Sequence, residues 1–134
     1  MVSENKPANA PRVLVVEDEP AIRELVTRVF ARADYIVDSA ADGQEALDKL
    51  AGDPGYSVVV LDLTMPRRSG FDVIEALKHE HPDGLKGVIV TTALDRKLRQ
   101  SDRTVVCGIV RKPFDLADLK KRVQACLDRC VPEP

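Results

Sequence analysis

The chain has 134 residues with a formal net charge of −2 and 44% hydrophobic residues, which fits one soluble domain with a single core. Its charges, 31% of all residues, mix both signs along the chain, so neither a basic block for nucleic acid nor an acidic tail stands out. Aromatic residues are 4% with no Trp, and no apolar run is long enough to cross a bilayer, so base stacking, an aromatic cage and a membrane span are not indicated.

Met1 to Pro11 is polar and proline-bearing, lacks a signal-peptide core, and reads as a loose tail. With no leader and no span, the expected location is the cytoplasm. Arg12 to Val16 is a short apolar strand that runs into Glu17-Asp18-Glu19-Pro20. Pro20 suits the first turn of a helix, whose stripe is Ile22, Leu25, Val26, Val29 and Phe30. Tyr35 to Ser39 is a second strand. Asp42-Gly43 starts a helix carrying Ala46, Leu47 and Leu50, which breaks at Gly52-Asp53-Pro54-Gly55.

Tyr56 to Leu61 is a third strand, apolar enough to be buried on both faces, and it ends at Asp62. Gly70 to His79 is a helix with Phe71, Val73, Ile74 and Leu77 apolar, followed by a turn at His81-Pro82-Asp83-Gly84. Val88 to Thr92 is a fourth strand. Leu94 to Ser101 is expected as a short, very polar helix. Val105 to Val110 contains the fifth strand, and Lys112-Pro113 follows. Asp115 is a good N-cap for a last helix with a stripe of Leu116, Leu119, Val123, Leu127 and Cys130. The three cysteines are odd in number and form no CxxC. Cys126 and Cys130 share a helix face at a spacing that suits half a metal site, but no His lies near, and small buried hydrophobes in a reducing compartment are the expectation.

Strand and helix alternate five times along the chain, which predicts an α/β fold with a parallel sheet covered by helices on both faces. Right-handed crossovers favour strand order 2-1-3-4-5. In such a sheet, sites form beyond the carboxyl ends of the strands. That edge collects Glu17 and Asp18 from the first strand, Asp62 from the third, Thr91 and Thr92 from the fourth and Lys112 from the fifth. Two like charges about 4 Å apart repel by about 4 kcal/mol at an effective dielectric of 20, and a hard divalent cation relieves that. Oxygen ligands suit Mg²⁺, which leaves a carboxylate oxygen of Asp62 free as a nucleophile toward a phosphoryl group. Lys112 would balance charge on the transferring oxygens, and Thr92 would donate a hydrogen bond to one of them. Each residue also has a plainer reading. Asp62 caps the next helix, Glu17 to Glu19 complement a helix dipole, Thr92 fills a strand, and Lys112 lies on the surface. All four would have to hold together at one sheet edge.

On Val15-Val16-Glu17-Asp18-Glu19-Pro20, Asp62-Leu63-Thr64-Met65-Pro66 with Gly70, Thr92-Ala93 and Lys112-Pro113-Phe114, the chain resembles a receiver domain of bacterial two-component response regulators. The resemblance covers roughly Arg12 to Cys130. It implies a flavodoxin-like (βα)5 doubly wound sheet over residues 12–130, between tails at 1–11 and 131–134. It implies Asp62 as phosphoacceptor and Lys112 as phosphate-binding lysine. Thr92, the threonine followed by Ala93, is implied as the switch hydroxyl rather than its neighbour Thr91. Mg²⁺ would be held by Asp18, Asp62 and the backbone carbonyl of Thr64, with Glu17 acting mainly through a metal-bound water. The Lys112–Pro113 bond is implied to be cis. The implied partners are a sensor histidine kinase or a histidine phosphotransfer protein as donor and a downstream effector protein, with a phosphorylation-dependent homodimer among the assemblies. With no basic block and no apolar span, neither nucleic acid nor membrane is expected to be contacted directly. The chain would catalyse only its own phosphorylation and dephosphorylation, and so is not expected to be an enzyme in the ordinary sense.

Two places depart from that pattern. Ile109 stands where an aromatic switch residue is usual, and Leu94 to Cys107 looks short, lacking the usual Gly-Ala before the fifth strand. Both fall on the face that often carries the output signal. Thr64 and Leu94 flank the site and are expected to tune hydrolysis. Only a few residues follow the last helix, which fits a stand-alone receiver or one excised from a larger regulator.

A phosphatase of the haloacid-dehalogenase kind would want a second Asp where Thr64 stands, and a larger core. A flavodoxin-like FMN protein would want Ser, Thr and Gly where Glu17-Asp18-Glu19 stands. A pseudo-receiver, binding partners without phosphorylation, is the alternative that shares the fold; it usually lacks an acid or the lysine, and none is missing here.

Overall fold

The computed structural model describes residues 9–52, 55–65, 67–93 and 98–130, with backbone alone at Cys130. Most of the two expected tails, Asp53 and Pro54 of the expected break, Pro66, and the start of the expected fourth helix at Leu94 lie outside the described residues.

Five strands form one parallel sheet: β1 (Arg12–Val16), β2 (Ile36–Ala40), β3 (Tyr56–Asp62), β4 (Val88–Thr92) and β5 (Gly108–Arg111), in the order β2-β1-β3-β4-β5. The expected topology therefore holds. β3 is central because its Val-rich run has no polar face to offer water. Its residues from Val58 to Asp62 are all buried, as is the whole of β4. The helices are α1 (Pro20–Arg32), α2 (Gly43–Gly52), α3 (Gly70–Glu80), α4 (Gln100–Val105) and α5 (Leu116–Cys130).

Strand alternation sorts the sheet's side chains into two cores. Leu14, Val16, Val59, Leu61, Val88 and Val90 pack with Ala46 of α2 and Val73, Ile74 and Leu77 of α3. Val13, Val15, Val58, Val60, Ile89 and Val110 pack with Val26 and Phe30 of α1 and Leu119 and Val123 of α5. Ile109, at the position noted above, joins the first layer and pairs in register with Val90.

Helix starts follow local chemistry. Pro20 opens α1. Asp42 Oδ1 accepts from the Glu45 N–H at 2.8 Å. Ser69 and Asp72 form a reciprocal capping box at α3. Asp115 Oδ1 accepts from the Ala117 N–H at 2.8 Å. At the other end of the chain the tail is tied down earlier than expected: Ala10 is buried and the Pro11 carbonyl accepts from Ile36 N–H at 2.9 Å.

Four expectations need correction. Leu25 is 48% exposed, because α1 buries a narrower stripe centred on Val26 and Phe30. The fourth helix is Gln100–Val105, not Leu94 to Ser101. It has almost no apolar stripe to place it. It is fixed instead by buried Leu98 and Val106 at its two ends and by buried Asp102, which pairs with Lys78 of α3 at 2.5 Å. Its pairing with Asp102 first, and with Glu75, holds the Lys78 ammonium above its usual range against an opposing effect of desolvation. Val105 is therefore a surface residue ending a helix, and β5 begins only at Gly108. Cys126 does lie in the last helix's buried stripe, but it is disulfide-bonded to Cys107 at the head of β5, so these two are not free buried thiols. The side chain of Cys130 lies outside the described residues.

Gly70 fixes the distance between α3 and the end of β3. A Cβ there would collide with the Asp62 carbonyl and the Leu63 Cα, and the Gly70 N–H donates to the Leu63 carbonyl at 3.0 Å. A Cβ at Gly52 meets nothing. Gly70→Ala is expected to destabilise the fold by about 1–3 kcal/mol through overpacking, whereas Gly52→Ala is expected to be neutral or stabilising by up to about 1 kcal/mol. Urea denaturation of the two variants checks this; equal effects would remove the close approach as the cause.

Candidate functional site

The carboxyl ends of β1, β3, β4 and β5 meet at one edge. Glu17 leaves β1 with its N–H donating to the Ala40 carbonyl at 3.1 Å. Asp62 is the last residue of β3, in register with Thr91. The Leu63 N–H donates to the Thr91 carbonyl at 3.2 Å, and the Lys112 N–H to the Thr92 carbonyl at 2.9 Å, so the sheet ladder is carried one residue beyond each strand. The Lys112–Pro113 bond is cis, as the resemblance implied.

Carboxylate oxygens of Glu17, Asp18 and Asp62 lie within 4.8 Å of one another. Glu17 and Asp62 are buried, while Asp18 is more open. Lys112 bridges the buried pair, with Nζ 2.8 Å from Glu17 Oε1 and 3.3 Å from Asp62 Oδ2. The other oxygen of Asp62 accepts from the Thr64 N–H at 3.2 Å. Thr64 itself is exposed and touches the site through its backbone. Thr92 is buried at the end of β4 and is joined to Lys112 through its carbonyl. Leu94 lies outside the described residues.

The electrostatics follow from this packing. Burial first, and then the negative charge of Glu17, push the Asp62 carboxyl up from its ordinary 3.8 to about 6, against the pull of Lys112 and the Thr64 N–H. Burial works against the Lys112 ammonium. The hydrogen bond to Glu17 and the charges of Asp62 and Glu17 outweigh that and raise its pKa above the usual range.

Sequence reasoning missed Arg23. One turn into α1, its guanidinium Nη1 donates to the Glu17 carbonyl at 2.9 Å and to the Asp18 carbonyl at 3.4 Å. It clamps the backbone of the acidic loop rather than the acids themselves. A basic residue shortly after an acidic pair is the only trace of this in the sequence, and it reads equally well as a surface charge. Sequence reasoning also missed Arg67, which pairs with buried Asp42 at 3.2 Å and has a positive φ of 65°, and so pins the loop after β3 to the start of α2.

The raised pKa of Asp62 has a sign that can be tested without metal. The fold favours the neutral carboxyl, so the stability from this group is fully present below about pH 4 and is lost as pH rises through about 6. Asp62→Asn keeps a neutral group at every pH. In chelator, the variant is expected to match wild type near pH 4 and to exceed it by about 1–3 kcal/mol above pH 7, after allowance for solvent screening. Urea denaturation across that pH range checks this, and a pH-independent difference would contradict it.

Known proteins share this architecture. The family profile described as the response regulator receiver domain matches residues 13–124. The chain is 40% identical over 121 residues to the response regulator RR06 of Streptococcus pneumoniae, covering 87% of this chain and 53% of that protein. It is similar in structure to the response regulator TrrA of Thermotoga maritima in complex with Mg(2+)-BeF, with TM-score 0.76 and 33% identity over 87% of this chain and 99% of that one. It is also similar to the chemotaxis response regulator CheY4 of Vibrio cholerae, with TM-score 0.77 and 28% identity over 89% of this chain and 100% of that one. The chain spans about half the length of the curated relatives it matches. Among the described residues no helix is long and apolar enough to cross a membrane. Profile, identity and fold agree with the acidic cluster at the sheet edge: the chain belongs to the response regulator receiver domain family of two-component systems, and is a receiver rather than a conventional enzyme.

Proposed function

We propose that Asp62 accepts a phosphoryl group from a phosphohistidine donor, a sensor histidine kinase or a histidine phosphotransfer protein, in the cytoplasm. The receiver unit runs over residues 12–130. The observation that carries this reading is the convergence of Asp62, Glu17, Asp18 and Lys112 at one sheet edge.

The residues fit a hard divalent cation. The donor set is all oxygen, three carboxylates reach a common point, and a lysine alone offsets their charge among the described residues of that cluster. Asp18, Asp62 and the Thr64 carbonyl would hold Mg²⁺, with Glu17 behind a bound water. TrrA, solved in complex with Mg(2+)-BeF, supports that choice by likeness. When bound, the ion supplies positive charge between the acidic oxygens and an incoming phosphoryl group.

The chain's own residues do the rest. An Asp62 oxygen attacks phosphorus, the P–N bond of the donor breaks, and the imidazole leaves with the bonding pair. Attack needs ionised Asp62, and Lys112 and the Thr64 N–H favour that form. Lys112 then turns from the carboxylates to a phosphoryl oxygen, where its charge offsets what the group brings in. The Thr92 hydroxyl donates to another. Release of Lys112 from Glu17 and Asp62 loosens the link between β1, β3 and β5, which would pass the event to a partner-binding surface beyond the site. Ile109 at the first core layer, in place of an aromatic residue, gives that surface an aliphatic face to repack.

The test is incubation with acetyl phosphate and Mg²⁺, followed by intact mass. Wild type is expected to gain one phosphate, and Asp62→Asn or wild type in chelator none. Lys112→Ala is expected to slow phosphorylation roughly tenfold or more. A wild type that stays unmodified both with acetyl phosphate and with a phosphorylated histidine kinase would overturn the assignment and leave a receiver that signals without phosphate.

A further inference from the structure

At the opposite edge of the sheet, Cys107 and Cys126 are joined in a disulfide with Cα atoms 6.0 Å apart. Cys107 precedes β5 and its N–H donates to the Val88 carbonyl at 2.8 Å. Cys126 is fully buried on α5, with Sγ 3.5 Å from the Lys86 carbonyl. The two sulfurs do not share an environment. Cys107 is half-buried and opens on a cavity of about 250 Å³ whose walls include Lys86 and Arg129. The small cavity admits a small oxidant to Cys107, whereas buried Cys126 has no such access.

We infer that Cys107 and Cys126 form a reversible oxidation site whose substrate is a small hydroperoxide, and which when oxidised staples α5 to the head of β5. The Cys107 thiolate attacks one peroxide oxygen. The O–O bond breaks, hydroxide leaves from hydrogen peroxide (alkoxide from an organic hydroperoxide) and takes up a proton as water or alcohol, and Cys107 becomes a sulfenic acid. The Cys126 thiol gives up its proton and attacks that sulfur, the S–O bond breaks, and a second water leaves as the disulfide forms. Two thiols and one hydrogen peroxide thus give one disulfide and two waters. A dithiol reductant reverses the reaction by exchange. The closed loop spans a sequence separation of 19 residues and includes the start of α5. This staple and the acidic edge sit at opposite ends of the strands, so oxidation acts on α5 without touching Asp62.

Fully reduced protein treated with stoichiometric hydrogen peroxide and then digested should show a Cys107–Cys126 linked peptide. Dithiothreitol should remove it. Oxidised protein should melt on the order of 10 °C above reduced protein. Cys126→Ser should trap Cys107 as a sulfenic acid that dimedone labels, and Cys107→Ser should give no label at Cys126. Cys130→Ser, which leaves the pair intact, should behave as wild type. A link through Cys130, equal labelling of Cys107 and Cys126, or no link at all would overturn the inference. Peptide mapping of wild type decides the matter even if a serine variant fails to fold.

Discussion

A carboxylate buried at the end of a strand has to be answered by positive charge, and Lys112 provides it. Its ammonium reaches both Glu17 and Asp62 while its backbone is hydrogen-bonded to Thr92, so one residue joins the ends of β1, β3, β4 and β5. The answer is incomplete. One ammonium faces two buried carboxylates and a third nearby, and Asp62 is left with a pKa near 6. The fold holds a site whose charge is settled only when another cation, or a proton, arrives. A perturbed carboxyl beside a specific charge partner at a sheet edge is what a functional site presents.

The backbone keeps that deficit in place. Glu17 and Asp62 cannot retreat from each other, because β1 and β3 are adjacent and in register up to Val16 and Leu61. Arg23 holds the loop after β1 by its carbonyls, and Gly70 lets α3 close onto the Asp62 backbone. Neither contact neutralises an acid. Both spend their hydrogen bonds or space on fixing where the acids stand, which is the kind of preorganisation phosphoryl transfer relies on.

How much of this the sequence revealed depended on the strength of each local signal. β1, β3 and β4 were legible because strands buried on both faces read as continuous apolar runs, the acids were legible as the residues that close β1 and β3, and the lysine as the residue that follows the fifth strand. The strand order followed from alternation and handedness. α4 was not legible, because it is anchored by Asp102 and by residues flanking it, and a buried carboxylate paired with Lys78 leaves no periodic pattern. The cysteine pairing was hidden for a related reason: Cys107 and Cys126 meet only once β5 and α5 pack, whereas spacing drew attention to Cys126 and Cys130. Arg23 acts on carbonyls, which carry no sequence signature at all.

The mode of attachment of α4 has a further consequence. α1, α3 and α5 are each laid down by several buried apolar side chains, so removing one contact leaves the rest holding. α4 is six residues long and offers a single buried residue, charged Asp102. In the hierarchy of local openings, such a segment detaches at a small fraction of the global unfolding free energy. Among the described α-helices, its amides are the ones that solvent deuterium should reach first in the native state.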